Sequence, residues 1–176
     1  AMPRFREFLT TNGPWSQLVE LGNIRLNSLT ELQPVSIGES VRVVPLRVPH
    51  RDEYSETVGY RIEGPRHAAL FIPDINKWEL WERALEEELV EVDYAFLDAT
   101  FYDAEEVGYR DMAEIPHPFM VESMERLGGV PSSEKTKVYF IHLNHTNPCL
   151  DTTSQAYRTV IGSGFHVARF GQTLPL

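Results

Sequence analysis

The chain alternates between two kinds of hydrophobic periodicity, and the switches between them mark its elements. Pro3 to Leu21 carries apolar residues at helical spacing interrupted by Asn12-Gly13-Pro14, so two short helices around a turn are expected. From Asn23 to Pro49 the pattern becomes short β-rich runs, NIRLNSL and SVRVVPLRVP, with Gly38 and Glu39 as turn residues between them; these read as neighbouring antiparallel strands. TVGYRIE and, after Gly64-Pro65, HAALFIP add two more. The second is mostly apolar, as a buried strand is.

In NKWELWERALEEELVEV, Trp78, Trp81, Leu85 and Leu89 share one helical face while the glutamates lie mostly elsewhere. One amphipathic helix packed on a sheet is expected there, with Asn76 available to cap its start. A buried strand, YAFLDATF, follows, then an acidic loop and a helix near Pro118 to Leu127. The last third repeats the scheme: strand KVYFIHL, loop HTNPCLD, a helix from about Thr153 to Ile161 stopped by Gly162 and Gly164, and a closing strand FHVARF. Strands alternating with helices specify an α/β layered domain, and no repeat or interdomain linker divides residues 1–176.

Composition narrows the function. With 176 residues, 42% of them hydrophobic, the chain is long enough for a real core. Its 26 acidic against 16 basic residues give a net charge of -10, which argues against a surface that neutralises phosphates, so no nucleic-acid partner is expected. Cys149 is the single cysteine; no intrachain disulfide can form and a cytoplasmic setting is the default expectation. No apolar run approaches the roughly 20 residues that cross a bilayer, so no membrane association is expected.

Three apolar strands end in metal-competent residues: VPLRVPHRDEY at His50, ALFIPDINKW at Asp74 and KVYFIHLNHTN at His142. Rigid strands fix such side chains at their carboxyl ends, where loops leave room for a substrate. Singly each has an ordinary reading, since a histidine after a strand usually serves packing and Asp74 could cap a helix. Together they suit a divalent ion such as zinc, bound by imidazole nitrogen and carboxylate oxygen at about 2.0 to 2.2 Å; iron or manganese accepts the same set. Cys149 has no evident base and is not a plausible nucleophile. His67 and His166 carry no functional reading, and His145 is read as a loop residue with a local hydrogen bond.

VPHRDEYSETVGYRI, LFIPDINKW, LDATF and FIHLNHTNP, in that order and after the opening TNGPWSQLVELGNI, resemble the later motifs of the metallo-β-lactamase superfamily. The resemblance covers nearly the whole chain. It is nearest to the pyrroloquinoline quinone biosynthesis B family and more distant to the tRNA 3′-processing endonucleases. It implies the C-terminal half of an αββα sandwich, a mixed sheet with helices on one face. It also implies that His50, Asp74 and His142 are metal ligands, Asp74 bridging two ions, and that Asp98 and His117 form an acid and histidine pair that assists proton transfer. For these last two the alternative is a structural brace on a ligand histidine. His145 departs from the quinone-biosynthesis relatives, which tend to carry Asn there.

The superfamily's HxHxDH ligand motif does not occur in the 176 residues, nor does a cysteine-rich metal site. The resemblance therefore implies a partial domain whose first half lies elsewhere. The expected function is metal-dependent hydrolysis of an ester, phosphodiester or lactone-like bond of a small molecule, with little activity in this chain alone. The alternatives are an iron-dependent oxidative step in quinone biosynthesis and a non-catalytic binding module. A single sheet leaves an apolar face, so a homodimer or association with the missing half is expected.

Overall fold

The apolar runs pair into one seven-stranded sheet in a computed structural model that describes residues 1–108 and 111–176. The strands follow chain order: β1 Val35–Ile37, β2 Val41–Arg47, β3 Val58–Glu63, β4 Ala68–Ile72, β5 Tyr94–Asp98, β6 Val138–Ile141 and β7 His166–Val167. The first four are antiparallel neighbours and the last four are parallel. Because β2 and β4 both run opposite to β3, β2 points the same way as β4, β5 and β6. The carboxyl ends of those four strands consequently share one edge of the sheet, and that edge is where the chemistry collects.

Residue alternation assigns the two faces. Val44, Leu46, Leu70, Ile72, Ala95, Leu97, Val138 and Phe140 are buried in one cluster with Trp78, Trp81, Leu85, Leu89, Met120, Leu127 and Val160 from the helical side. The helices are α1 Pro3–Thr11, α2 Gly13–Glu20, α3 Leu85–Val90, α4 Ala104–Val107, α5 Met120–Arg126, α6 Ser132–Lys135 and α7 Gln155–Gly162. On the opposite face, Tyr60 pairs with Phe71 across β3 and β4, Phe71 with Phe96, and Phe96 with Tyr139. Phe96 stacks on Tyr139 and Tyr139 on His166, with ring centroids 5.4 and 4.7 Å apart. These side chains are only partly covered, and Phe71 is exposed. The expected mixed sheet with helices on one face is the observed architecture.

Three local expectations change. The run NIRLNSL forms no strand, because no strand lies alongside it to complete a ladder; its backbone bonds run instead from Leu29 N to Ala1 O and, just beyond it, from Leu32 N to Pro45 O. The single helix expected over 76–92 is a 3₁₀ turn, Trp78–Leu80, and the separate α3. Extended backbone at Trp81 and Ala84 separates them, and the two indole N–H groups find different partners, Trp78 on the Ser123 hydroxyl and Trp81 on the Arg47 carbonyl at the end of β2. The apolar stripe is nevertheless buried. Asn76 caps nothing; its side chain turns to His50. Elsewhere, α1 docks onto the loop after His50: the Glu56 carboxylate accepts from the Arg4 and Phe5 amides at 3.1 and 3.3 Å, capping from 52 residues away.

Candidate metal centre

Each strand on the shared edge contributes a polar side chain within a few residues of its end: His50 beyond β2, Asp74 beyond β4, Asp98 at the end of β5 and His142 just past β6. His117 joins them from the loop that leads into α5. Asp98 lies at the centre and is fully buried. Every neighbour of its oxygens is a donor. Oδ2 accepts from the Ile75 amide at 3.1 Å and from His117 Nδ1 at 2.8 Å; Oδ1 accepts from the Thr100 amide at 3.0 Å and hydroxyl at 2.7 Å, with His142 Nδ1 at 3.5 Å. Burial pushes the Asp98 carboxyl up, but the hydrogen bonds from His117 and His142, the His117 charge and Thr100 outweigh it and hold the group below the ordinary carboxylate range. In return the Asp98 hydrogen bond raises His142 above the ordinary imidazole value, against the opposing effect of its partial burial.

Thr100 links the two rings. Having given its proton to Asp98, its hydroxyl accepts, and it stands 3.1 Å from His142 Nδ1 and 3.3 Å from His117 Nδ1. Both imidazoles are thereby held through Nδ1, leaving Nε2 of each for a ligand. The rings of His50 and His142 flank that of His117, at centroid distances of 5.4 and 6.0 Å. His50 Nε2 is 3.1 Å from Asp74 Oδ2.

The donor set fits a cation. Asp74 Oδ1 is buried and makes no hydrogen bond, its near neighbour being His117 Nδ1 at 3.4 Å; an orphaned carboxylate oxygen is costly unless something positive completes it. One atom each from Asp74, Asp98, His117 and His142 lies within 4.8 Å of the others. Of these four, Asp98 is the poorest ligand because its lone pairs already face donors, which makes it a brace for the imidazoles. The backbone at His142 supports a constrained role. Its φ of 62° lies in the left-handed region, which costs a residue with a Cβ about 1–2 kcal/mol. Replacing His142 by Gly should therefore leave the fold about 1 kcal/mol more stable than replacing it by Ala, measured by urea unfolding; equal stabilities would show that no strain is stored there.

Sequence reasoning picked out His50, Asp74, His142, Asp98 and His117, and the structure brings all five to one rim. It passed over Thr100 and misassigned Asn76. The Asp98-Ala99-Thr100 spacing carried a usable signal, since an Asp side chain readily accepts from the amide two residues on. His145 bonds its neighbour Asn144 at 3.1 Å, as a loop residue. His67 lies near Asp93 at the opposite edge, and His166 stacks on Tyr139, away from the site. Cys149 is buried, and burial, with Glu106 and Asp103 nearby, pushes its thiol up to about 12. The native chain should accordingly resist iodoacetamide at neutral pH and react fully once unfolded; rapid native labelling, read by mass spectrometry, would contradict that burial.

A cavity of about 630 Å³ opens beside this rim, bounded by Arg47, His50, Asp52, Asn76, Trp81 and Arg83 among others. Among the described residues, no helix is long and apolar enough to cross a membrane.

Comparison with known proteins agrees with this architecture. The chain is 29% identical over 140 residues, 73% of its own length, to coenzyme PQQ synthesis protein B of Methylococcus capsulatus, and spans 44% of that protein. The Zn(2+)-bound PqqB of Methylobacterium extorquens has the same fold, with a TM-score of 0.76 and 21% identity over 99% of this chain and 61% of that one. A diphosphatase from the PhnP family matches at a TM-score of 0.54 and 18% identity, covering 92% of this chain and 54% of its own. The chain thus spans less than two thirds of each of these relatives. The family described as the beta-lactamase superfamily domain matches residues 1–143, most of the chain, and the chain belongs to that family.

Proposed function

We propose that the chain carries part of the metal site of a metal-dependent hydrolase that cleaves an ester, phosphodiester or lactone-like bond in a small molecule. The observation that carries this reading is the buried Asp74 Oδ1 without a hydrogen bond, set at a rim with three imidazoles. His50, Asp74 and His142 would hold the metal, with zinc the best match to imidazole and carboxylate donors. A metal bound there supplies Lewis acidity and a water acidic enough to yield hydroxide near neutral pH. The protein's own part is positional. Asp98 fixes His117 with its proton on Nδ1, so His117 Nε2 is the atom that takes up or gives a proton at the reacting bond. Thr100 keeps His142 in the same orientation. The adjacent cavity is in the size range of small-molecule sites and gives substrate a place beside His50. With no HxHxDH among the 176 residues, full activity would need ligands from outside them.

Equilibrium dialysis with zinc tests the reading directly. The chain should bind zinc, and Asp74→Ala should weaken binding by at least about 10-fold, since losing a ligand costs no less than losing one of the outer partners that orient ligands. Binding by the native chain no tighter than by Asp74→Ala, together with a melting temperature indifferent to zinc and to chelator, would instead support a metal-free binding module. The similarity to coenzyme PQQ synthesis protein B favours a second reading, an iron-dependent oxidative step in making such a quinone. Preference for iron over zinc and oxygen uptake with a quinone precursor would select it.

A further inference from the structure

Asn76 has a job that neither helix capping nor metal ligation explains. The 3₁₀ turn that follows it has no side-chain cap. Both polar groups of Asn76 that make contacts reach instead to the segment carrying His50, 26 residues earlier: its backbone N–H donates to the Pro49 carbonyl at 2.6 Å, and its side-chain Oδ1 lies 3.0 Å from His50 Nδ1. The ends of β2 and β4 are thus tied together at the point where each presents a site residue.

We propose that Asn76 is a positioning residue that selects the tautomer of His50, keeping the proton on Nδ1 and aiming the Nε2 lone pair at Asp74. The purpose of this arrangement rests on the metal reading above, although the tautomer is a property of the chain alone. A side-chain amide oxygen only accepts, so the ring nitrogen facing it must carry a proton, and a neutral ring then has its lone pair on Nε2. In that neutral form the lone pair faces Asp74 Oδ2 at 3.1 Å, whereas a doubly protonated ring would donate there instead. Two acceptors so close repel each other unless something positive lies between them. Atoms that share an ion at about 2.0 to 2.2 Å are held at about this separation. The residue type matters too. Carboxylates are frequent partners of ligand histidines, but beside Asp74 and Asp98 another one would add a third negative charge to the rim; an amide orients the ring without adding any.

Long-range ¹H–¹⁵N correlation spectra of the chain with ¹⁵N-labelled histidine test this, recorded at about pH 8.5, two units above the ordinary imidazole value of about 6.5. His50→Gln identifies the His50 signals by their loss. The native chain should show His50 protonated at Nδ1. Asn76→Ala should shift the population to the Nε2-protonated form, and Asn76→Asp, which keeps an acceptor in place, should restore the native pattern. A purely structural role through the Asn76 backbone would leave the pattern unchanged in Asn76→Ala, and that result, or a native His50 protonated at Nε2, overturns the proposal. Zinc dialysis on the same variants separates the two readings. A 10- to 100-fold weaker affinity in Asn76→Ala is expected. A tautomer that switches as described in a chain that never binds zinc supports the assignment of Asn76 and refutes the metal reading.

Discussion

Replacing Asp98 with alanine should destabilise the chain by about 3–5 kcal/mol, the usual cost of removing one partner from a buried charged network. Five donor groups converge on this carboxylate from four other residues, Ile75, Thr100, His117 and His142. Only the Thr100 hydroxyl can also accept, from the rings of His117 and His142; the two backbone amides would be left with no partner in the carboxylate's place. For a chain of this length the loss corresponds to a fall of roughly 6–20 °C in melting temperature, and it is a large share of a typical stability of about 5–15 kcal/mol. Asp98→Asn is the informative control. It preserves shape but turns an NH₂ group toward donors, so it should recover little of the loss. Zinc affinity should fall along with stability, because His117 and His142 lose the group that orients them. Thermal unfolding followed by circular dichroism gives the first quantity and dialysis the second. An Asp98→Ala chain within about 1 kcal/mol of the native one would mean that the network is not the keystone its geometry describes.

Self-association is the second large effect expected. A monomer of 20.2 kDa exposes about 8,800 Å² by the usual scaling of surface with mass, whereas this chain exposes 10311 Å². The excess of about 1,500 Å² is nearly twice what one partner contributes to a standard interface. The open sheet face is the place to hide it, with Phe71 exposed and Tyr60, Phe96, Tyr139 and His166 only partly covered. Leaving 400 Å² of apolar surface in water costs about 10 kcal/mol at 25 cal/mol per Å². We expect the chain to form a two-fold dimer through this face, unless a complementary sheet from elsewhere in a longer protein covers it. Each protomer carries a net charge of -10, so added salt should tighten the dimer by screening repulsion. Sedimentation equilibrium at micromolar concentration checks this. A stable monomer, or a dimer unaffected by replacing Phe71 and Tyr139 with serine, would place the excess surface elsewhere.

Much of the candidate site was legible before folding, for a reason particular to strands. A strand's apolar run ends where its polar residues begin, so His50, Asp74 and His142 each announced a strand end on local pattern, while Asp98 and His117 were picked out only through the family resemblance. The resemblance to a known superfamily then gave these positions an order. The helix ends were partly legible too, as where Gly162 closes α7. Local pattern failed where the outcome depended on a distant partner. NIRLNSL alternates like a strand but pairs with none, and the helix expected over 76–92 breaks at Trp81, whose indole is held by β2.

By itself, then, the sequence determined most of the strands and helices, the buried stripe of Trp78, Trp81, Leu85 and Leu89, and the residues able to meet a cation, because these follow from short-range periodicity and side-chain chemistry. Only the tertiary structure decided the rest. Having β2 run the same way as β4, β5 and β6 put four strand ends on one edge. Hydrogen bonds between residues 17 to 42 positions apart decided which nitrogen of each ring is held: Asn76 on His50, Asp98 on His117, and Thr100 on His117 and His142. A side chain's chemistry is written in its residue type. Which of its atoms faces the site is settled by neighbours that only the folded chain brings near, and Asn76, a cap by local pattern and a histidine's partner in the fold, shows the difference.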